Sequence, residues 1–333
     1  MPIVQKLDPE ELSVDALSDV LRAVRLTGAL FFDIQASDPW VAETPPGDSI
    51  VRKIFPDAEH LIPYHVVTRG TCWGAVADRQ PVQLAAGDII MFPHGDAHTM
   101  SSEPGMHGTP NLAVYRWPRD GQLPVSMSMG NSRLDSSHIV CGYLGCDARP
   151  FNPLLAALPP VIHVSDGDGG TIAAFVKLAM AEAQQRRPGG EVVLGHLSQL
   201  MFVDVVRRYL ETLPGDRTGW LAALREPFVG RALTALHRSP AHGWTLEALA
   251  REVGLSRSAL AERFTELVGH PPMQYLTNWR MQLAANLLLA GTDNIATIAD
   301  RVGYESEAAF SRAFKKAVGV PPSEWRTRRG QTH

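Results

Sequence analysis

Leu246-Glu247-Ala248-Leu249-Ala250-Arg251-Glu252-Val253-Gly254 and Ile295-Ala296-Thr297-Ile298-Ala299-Asp300-Arg301-Val302-Gly303 are two copies of one pattern. Their apolar residues, an alanine and the closing glycine recur 49 positions apart (246 to 295). Further on, Leu260, Phe264, Gly269, Pro271, Pro272 and Tyr275 recur as Phe310, Phe314, Gly319, Pro321, Pro322 and Trp325, now 50 apart (260 to 310). The second copy therefore holds one extra residue in the turn after its glycine.

Each copy reads as helix, turn, helix. Leu246, Leu249, Ala250 and Val253 mark one buried helix face. Thr245 and Asn294 stand where N-caps belong, and the glycine supplies the left-handed residue that ends the first helix. Ser256 opens the second helix of the first copy. Ser306 or Glu305 opens its counterpart, and Gly-x-Pro-Pro closes both. Between the copies, the apolar residues of Met273 to Ala290 predict one linking helix, and a short helix from Phe228 to His237 precedes them. Two ordinary helical hairpins would also show one such match. Two in register, on a basic part of the chain, point to a tandem DNA reader whose second helices enter major grooves. From Leu221 onward there are 14 Lys and Arg against 10 Asp and Glu, while the first 220 residues carry 17 against 25.

This stretch, about Trp220 to Arg326, resembles the DNA-binding domain of the AraC/XylS transcription regulators. Its most specific runs are Ile298 to Ser306, Phe310 to Lys315, Gly319-Val320-Pro321-Pro322, and, in the first copy, Leu255 to Leu260 with Tyr275 to Met281. The resemblance implies base contacts from Arg257, Ser258, Ala261 and Glu262, then Glu307, Ala308, Ser311 and Arg312. Helical spacing reaches the same residues, because Leu260, Phe264, Phe310 and Phe314 take the opposite face. Arginine can bond guanine bidentately and glutamate can accept from cytosine. Arg263, Lys315 and Lys316 read as phosphate contacts, with a solvated helix face the alternative for Arg263 and Lys316. The first reading helix is the poorer reader, since Ala261 cannot bond a base edge.

Residues 1–165 are short runs broken by glycine and proline. Leu30 to Ile34, Ile50 to Phe55, Ile62 to Val67, Cys72 to Val76, Pro81 to Leu84, Asp88 to Phe92, Leu112 to Trp117 and His138 to Leu144 are predicted strands of a sandwich or barrel. Leu12 to Val24 is predicted helical. Gly87 to His98 spells G-x5-P-x-G-x2-H, which resembles the second motif of the cupin barrel. The first cupin motif brings two histidines and a glutamate as metal ligands. Here only His65 lies in the expected strand, so the ligand set is degraded. With Cys141-Gly142-Tyr143 and Pro153 to His163, the front half resembles the cupin-type sensor of one AraC-like subgroup.

Two readings of that barrel stand side by side. His65, His98 and Cys141 could hold Zn²⁺ or another divalent metal, since imidazole and thiolate suit it. They equally fit satisfied core histidines and a buried thiol. Cys72, Cys141 and Cys146 are candidates for a redox switch, as the resemblance suggests. An odd total of 3 cysteines excludes a disulfide scaffold and suits a reducing cytoplasm.

The expected organisation is α+β and multidomain. A cupin-like sensor spans 1–165 and a helical dimerisation segment 166–213. A linker covers 214–219, and the tandem helix-turn-helix domain covers 220–333. Within the helical segment, one helix carries Ile172, Phe175, Val176, Leu178 and Ala179. A second, Val192 to Leu213, is apolar on more than one face, which suits a homodimer or packing on the barrel alone. No apolar run is long enough for a membrane span, and the first residues lack a secretory pattern. The expectation is a cytoplasmic transcription regulator, an activator, and not an enzyme. Its partners are duplex DNA, a second copy, RNA polymerase as the resemblance implies, and an unknown effector. The alternative is a cupin-type metal-dependent enzyme fused to a DNA-binding module.

Overall fold

The computed structural model describes residues 15–115, 123–131, 136–166, 170–185, 187–213, 218–291 and 293–330. They form two compact units. One comprises residues 25–148 and 158–213; the other comprises the described residues of 1–24, 149–157 and 214–333. The expected 1–165 segment is therefore not one unit, because residues 15–24 and 149–157 go with the helices at the end of the chain.

The first unit is built on two sheets. β1 (Thr27–Ala36), β3 (His60–Arg69), β6 (Asp88–Met91), β8 (Val125–Met129), β9 (Ser137–Cys146) and β10 (Ile162–Ser165) run in the order β10-β6-β3-β9-β1-β8. β2 (Val41–Thr44), β4 (Thr71–Val76), β5 (Val82–Ala85) and β7 (His98–Ser101) run β2-β7-β4-β5. Pairing is antiparallel except between β1 and β8. Both sheets feed one core, in which Phe31, Ile139 and Tyr143 of one meet Cys72, Leu84 and Met100 of the other. α2 (Gly47–Ile54) replaces a predicted strand, because Ile50, Val51 and Ile54 are buried at helical spacing. Leu112 to Tyr115 is a turn, not a strand, and Arg116 and Trp117 lie outside the described residues.

α4 (Thr171–Gln185) and α5 (Gly190–Thr212) form a hairpin. α5 lies against β1 with almost no gap. A Cβ on Gly28 would sit 2.5 Å from the Gly195 carbonyl oxygen, so only glycine permits that approach. Leu194, Leu197, Met201, Phe202 and Val205 are buried there, which settles most of the apolar surface of α5 within its own unit. Leu178, Val192, Val193 and Leu200 stay exposed.

The second unit is all helical. It holds α1 (Ala16–Ala23), α3 (Pro153–Ala157), α6 (Trp220–Arg225), α7 (Pro227–Arg238), α8 (Leu246–Val253), α9 (Arg257–Val268), α10 (Pro272–Ala290), α11 (Ile295–Arg301), α12 (Glu307–Val318) and α13 (Pro322–Gly330). The predicted helix from Leu12 begins at Ala16, and residues 12–14 lie outside the described residues, as do 214–217 of the expected linker. Capping is as the sequence reads. The N–H groups of Ala248, Ala259, Thr297 and Ala309 donate to the side chains of Thr245, Ser256, Asn294 and Ser306. Each such cap is worth roughly 1 kcal/mol. Ser306, not Glu305, opens α12.

α10 joins the two copies. Its Tyr275 meets Phe264 of the first at 5.7 Å between ring centroids. Its Met281, Ala284, Ala285 and Leu288 share a core with Ile298, Phe310, Phe314 and Trp325 of the second. Arg280 ties the turns together, donating to the carbonyls of Pro240, His242 and Gly303. α1 seals the same helix from another side, where the Ala23 carbonyl accepts from Gln282 and Asn286. His237 of α7 donates to or accepts from Tyr275 at 2.8 Å, and its other ring nitrogen stands 3.8 Å from Asp19 with no hydrogen bond.

Candidate nucleic-acid interface and sensor cavity

α9 and α12 carry the residues expected to meet DNA. In α9, Leu260 and Phe264 are fully buried, which turns Arg257, Ser258, Glu262 and Arg263 to solvent with Ala261 half-buried beside them. In α12, Phe310 and Phe314 do the same for Glu307, Ala308, Arg312 and Lys315, with Ser311 half-buried. The two helices are not equally free. Arg257 pairs with Glu247 at 2.7 Å. Arg263 reaches Glu226 at 3.2 Å and lies over the Phe228 ring. Glu226 meanwhile caps α7 by accepting from Phe228 and Val229 N–H. Both arginines of the first reading helix are thus already engaged on their own unit.

In the sheet unit, the strands bring His65, His98 and Cys141 together. His65 and Cys141 are cross-strand partners in β3 and β9, and His65 Nδ1 lies 2.7 Å from Cys141 Sγ. The Pro93-x-Gly95 turn delivers His98 to the start of β7. There it stacks on Phe92 at 3.8 Å, and its Nε2 meets His65 Nε2 at 2.8 Å. His98 Nδ1 is 2.8 Å from the Asp96 carbonyl oxygen.

The backbone carbonyl sets every proton in this row, because it can only accept. His98 Nδ1–H donates to Asp96. Burial pushes His98 down to about 4, so its Nε2 is bare at neutral pH and accepts from His65 Nε2–H. Burial, with His98 adding, holds His65 neutral too, so its Nδ1 accepts the Cys141 thiol hydrogen. Burial pushes that thiol well up, which agrees with a protonated sulfur.

This row does not fit the metal expected at His65, His98 and Cys141. Sγ and the His98 nitrogen flank opposite edges of the His65 ring, so no point lies about 2.0–2.3 Å from all three donors. Among the described residues no cluster of three histidine, cysteine or acidic side chains is arranged to hold a metal ion. The thiols differ in the same direction from a redox trio. Cys72, Cys141 and Cys146 are buried thiols in no disulfide, and burial raises each, Cys72 to about 12. The reactive thiolate is thereby disfavoured.

His65 and Cys141 border a cavity of about 200 Å³ between the two sheets. Sequence reasoning missed the rest of its wall, which includes Thr44, Met100, Tyr115, Met127 and Tyr143. One signal was available: Ile139, Cys141 and Tyr143 alternate along β9 and so share a face. The Tyr115 and Tyr143 rings meet edge to face at 6.4 Å between centroids.

Comparison with known proteins agrees with this anatomy. The cupin family matches residues 15–211, and the helix-turn-helix domain matches residues 249–328. A protein of Streptomyces lividans described as an AraC-like transcription regulator is 34% identical over 316 residues, 94% of this chain and 98% of its own. The transcriptional regulator AlkR of Acinetobacter baylyi is 28% identical over 94% of this chain and 99% of its own. The solved structure of ToxT from Vibrio cholerae covers 92% of this chain and 98% of its own at 11% identity, with a TM-score of 0.35. No helix among the described residues is long and apolar enough to cross a membrane. A two-sheet domain with the cupin turn, followed by two capped helix-turn-helix units on one linking helix, places the chain in the AraC family of DNA-binding transcription regulators with an N-terminal cupin domain.

Proposed function

We propose that one chain reads two successive major-groove segments of duplex DNA with α9 and α12, and that an occupant of the sheet cavity sets this activity. The observation that carries the first part is the pairing of two exposed polar helix faces with buried aromatic anchors on one 19-residue helix, α10, about 28 Å long. The second part is supported by a cavity bordered by a fully satisfied hydrogen-bond row. Raised thiols and an unsuited donor set favour a small molecule over oxidation or a metal. The exposed Leu178, Val192, Val193 and Leu200 support a homodimer through the α4–α5 hairpin, and RNA polymerase is the further partner of such a regulator.

Arg312 makes no ion pair among the described residues, whereas Arg257 and Arg263 do. It is therefore the reader with most to offer a base. Arg312→Ala is expected to weaken binding of a selected site by about 1–3 kcal/mol while changing random-sequence DNA far less. Lys315→Ala is expected to weaken both alike and to lower the salt slope by about 1. Titrations of the full chain at several salt concentrations check both. An equal loss on all sequences for Arg312→Ala would reduce that residue to a phosphate contact.

A further inference from the structure

Aromatic rings make much of the wall of the cavity between the sheets. Phe32, Tyr115 and Tyr143 line it, and each ring stands nearly at right angles to the next. Phe32 meets Tyr115 at 80° with 5.9 Å between centroids, and Tyr115 meets Tyr143 at 72° with 6.4 Å. Their faces are thus turned in different directions, not stacked on one another. Trp40 adds a fourth ring. Its Nε1 is itself buried, with no partner among the described residues, so the ring is what it presents to a guest. The face of an aromatic ring is negative and its edge positive, so a cation is drawn to faces that an anion avoids.

The charges of the lining agree in sign with the rings. Glu43 is its one carboxylate, and no lysine or arginine borders the cavity. Glu43 Oε1 accepts from Gly108 N–H at 3.1 Å, with His107 Nδ1 3.7 Å away, while Oε2 has no partner among the described residues. His65 brings no opposing charge, because burial, with His98 adding, holds it neutral. Burial likewise keeps Cys141, Tyr115 and Tyr143 protonated. Met100, Met127, Met129 and Ile139 make the remaining wall apolar. Such a wall penalises a metal ion or a bare ammonium, which must shed tightly held water, and suits a cation wrapped in methyl groups. A volume of about 200 Å³ exceeds the roughly 150 Å³ that admits benzene, so the guest is somewhat larger than benzene. We infer that the cavity receives a small quaternary ammonium compound, its methylated nitrogen among the rings of Phe32, Trp40, Tyr115 and Tyr143 and its charge answered by Glu43. This inference rests on reading the cavity as the signal site and names the class of molecule it receives.

The test is calorimetric titration of the full chain with choline, neohexanol and pivalate. Neohexanol has the shape of choline with a carbon in place of the charged nitrogen, and pivalate puts an anion on the same branched head. Choline is expected to bind about tenfold tighter than neohexanol, and pivalate more weakly than either. Glu43→Gln removes the charge but keeps an acceptor for Gly108 N–H. It is expected to weaken choline several-fold and to leave neohexanol unchanged. Tyr115→Leu is expected to weaken choline more than neohexanol, and Phe32→Leu serves as the second ring removal should the first unfold. Equal affinity for choline and neohexanol overturns the inference. So does preference for pivalate, choline binding that Glu43→Gln or the ring removals leave unchanged, or no binding by any of the three. A separate measurement follows the affinity of the full chain for a selected DNA fragment with choline present. Binding as expected without any change in DNA affinity would overturn the signal-site reading and leave the ligand class standing. Failure of choline to bind overturns the ligand class alone.

Discussion

Taking the protein from pH 7 to pH 5 is expected to cost about 2–4 kcal/mol in the sheet unit and about 2 kcal/mol in the helical unit. The cause is three buried histidines. Burial lowers His98 to about 4 and His237 to about 3, and it lowers His65 well below its ordinary value with His98 adding. In the unfolded chain each titrates near 6.5. Below that pH the unfolded chain binds a proton that the folded one refuses, so stability rises with pH through this window and falls on acidification. His65 and His98 share one hydrogen bond, so the first proton breaks the row and the second costs less. In the helical unit, the Asp19 carboxylate 3.8 Å from His237 does not rescue it. Burial raises that carboxyl too, and His237 stays neutral, so the two are not an ion pair at neutral pH. Urea unfolding at both pH values, in the native chain and in His237→Gln, checks this. Midpoints that do not move between pH 7 and pH 5 would show that the histidines are protonated in the folded state.

Phe310→Ala is expected to destabilise the helical unit by about 3–5 kcal/mol. Phe310 has no exposed surface, and it touches Phe314 and Tyr304 at ring-centroid distances of 5.6 and 5.7 Å. The site has little means of collapse, because Trp325 already closes on Phe314 at 6.1 Å. Against a total of roughly 5–15 kcal/mol for a domain, that loss is a large fraction. Lys316→Ala, on the exposed face two turns away, is expected to change stability by no more than about 0.5 kcal/mol. Thermal unfolding of both variants distinguishes anchor from surface. A small effect at Phe310 would mean that α12 does not depend on this core for its position.

The helical unit was legible because its signals are local. A cap, a glycine and a residue three or four positions on lie within one turn, so Thr245, Ser256, Asn294 and Gly254 could be read directly. The extra residue of the second turn was legible too, as the shift from 49 to 50 between the copies. Ile50 to Ile54 misled because a short apolar run suits either strand or helix, and tertiary burial decided for α2. The strands β2, β7, β8 and β10 are 4 or 5 residues long, too short to show a period against their neighbours. The cavity wall was illegible for another reason. Thr44, Tyr115 and Tyr143 are far apart in the chain, and only the packing of one sheet and the 112–115 turn on the other brings them to one cavity. His65, His98 and Cys141 do adjoin one another, but composition cannot say whether three donors converge on a point or stand in a row.

The helical unit is discontinuous in the chain, and that has a consequence for synthesis. α1 leaves the ribosome early, yet its partners Gln282 and Asn286 follow more than 250 residues later. At about 5–20 residues per second, that gap lasts on the order of 13–50 seconds. The sheet unit, whose last helix ends at Thr212, has all its strands during that interval and can condense first. α1, short and apolar on one face, must wait for α10 throughout that interval. A truncated chain that stops before α10 would deny the Ala23 carbonyl both of its donors and leave α1 with only part of its native packing, an apolar face open to chaperones or proteases.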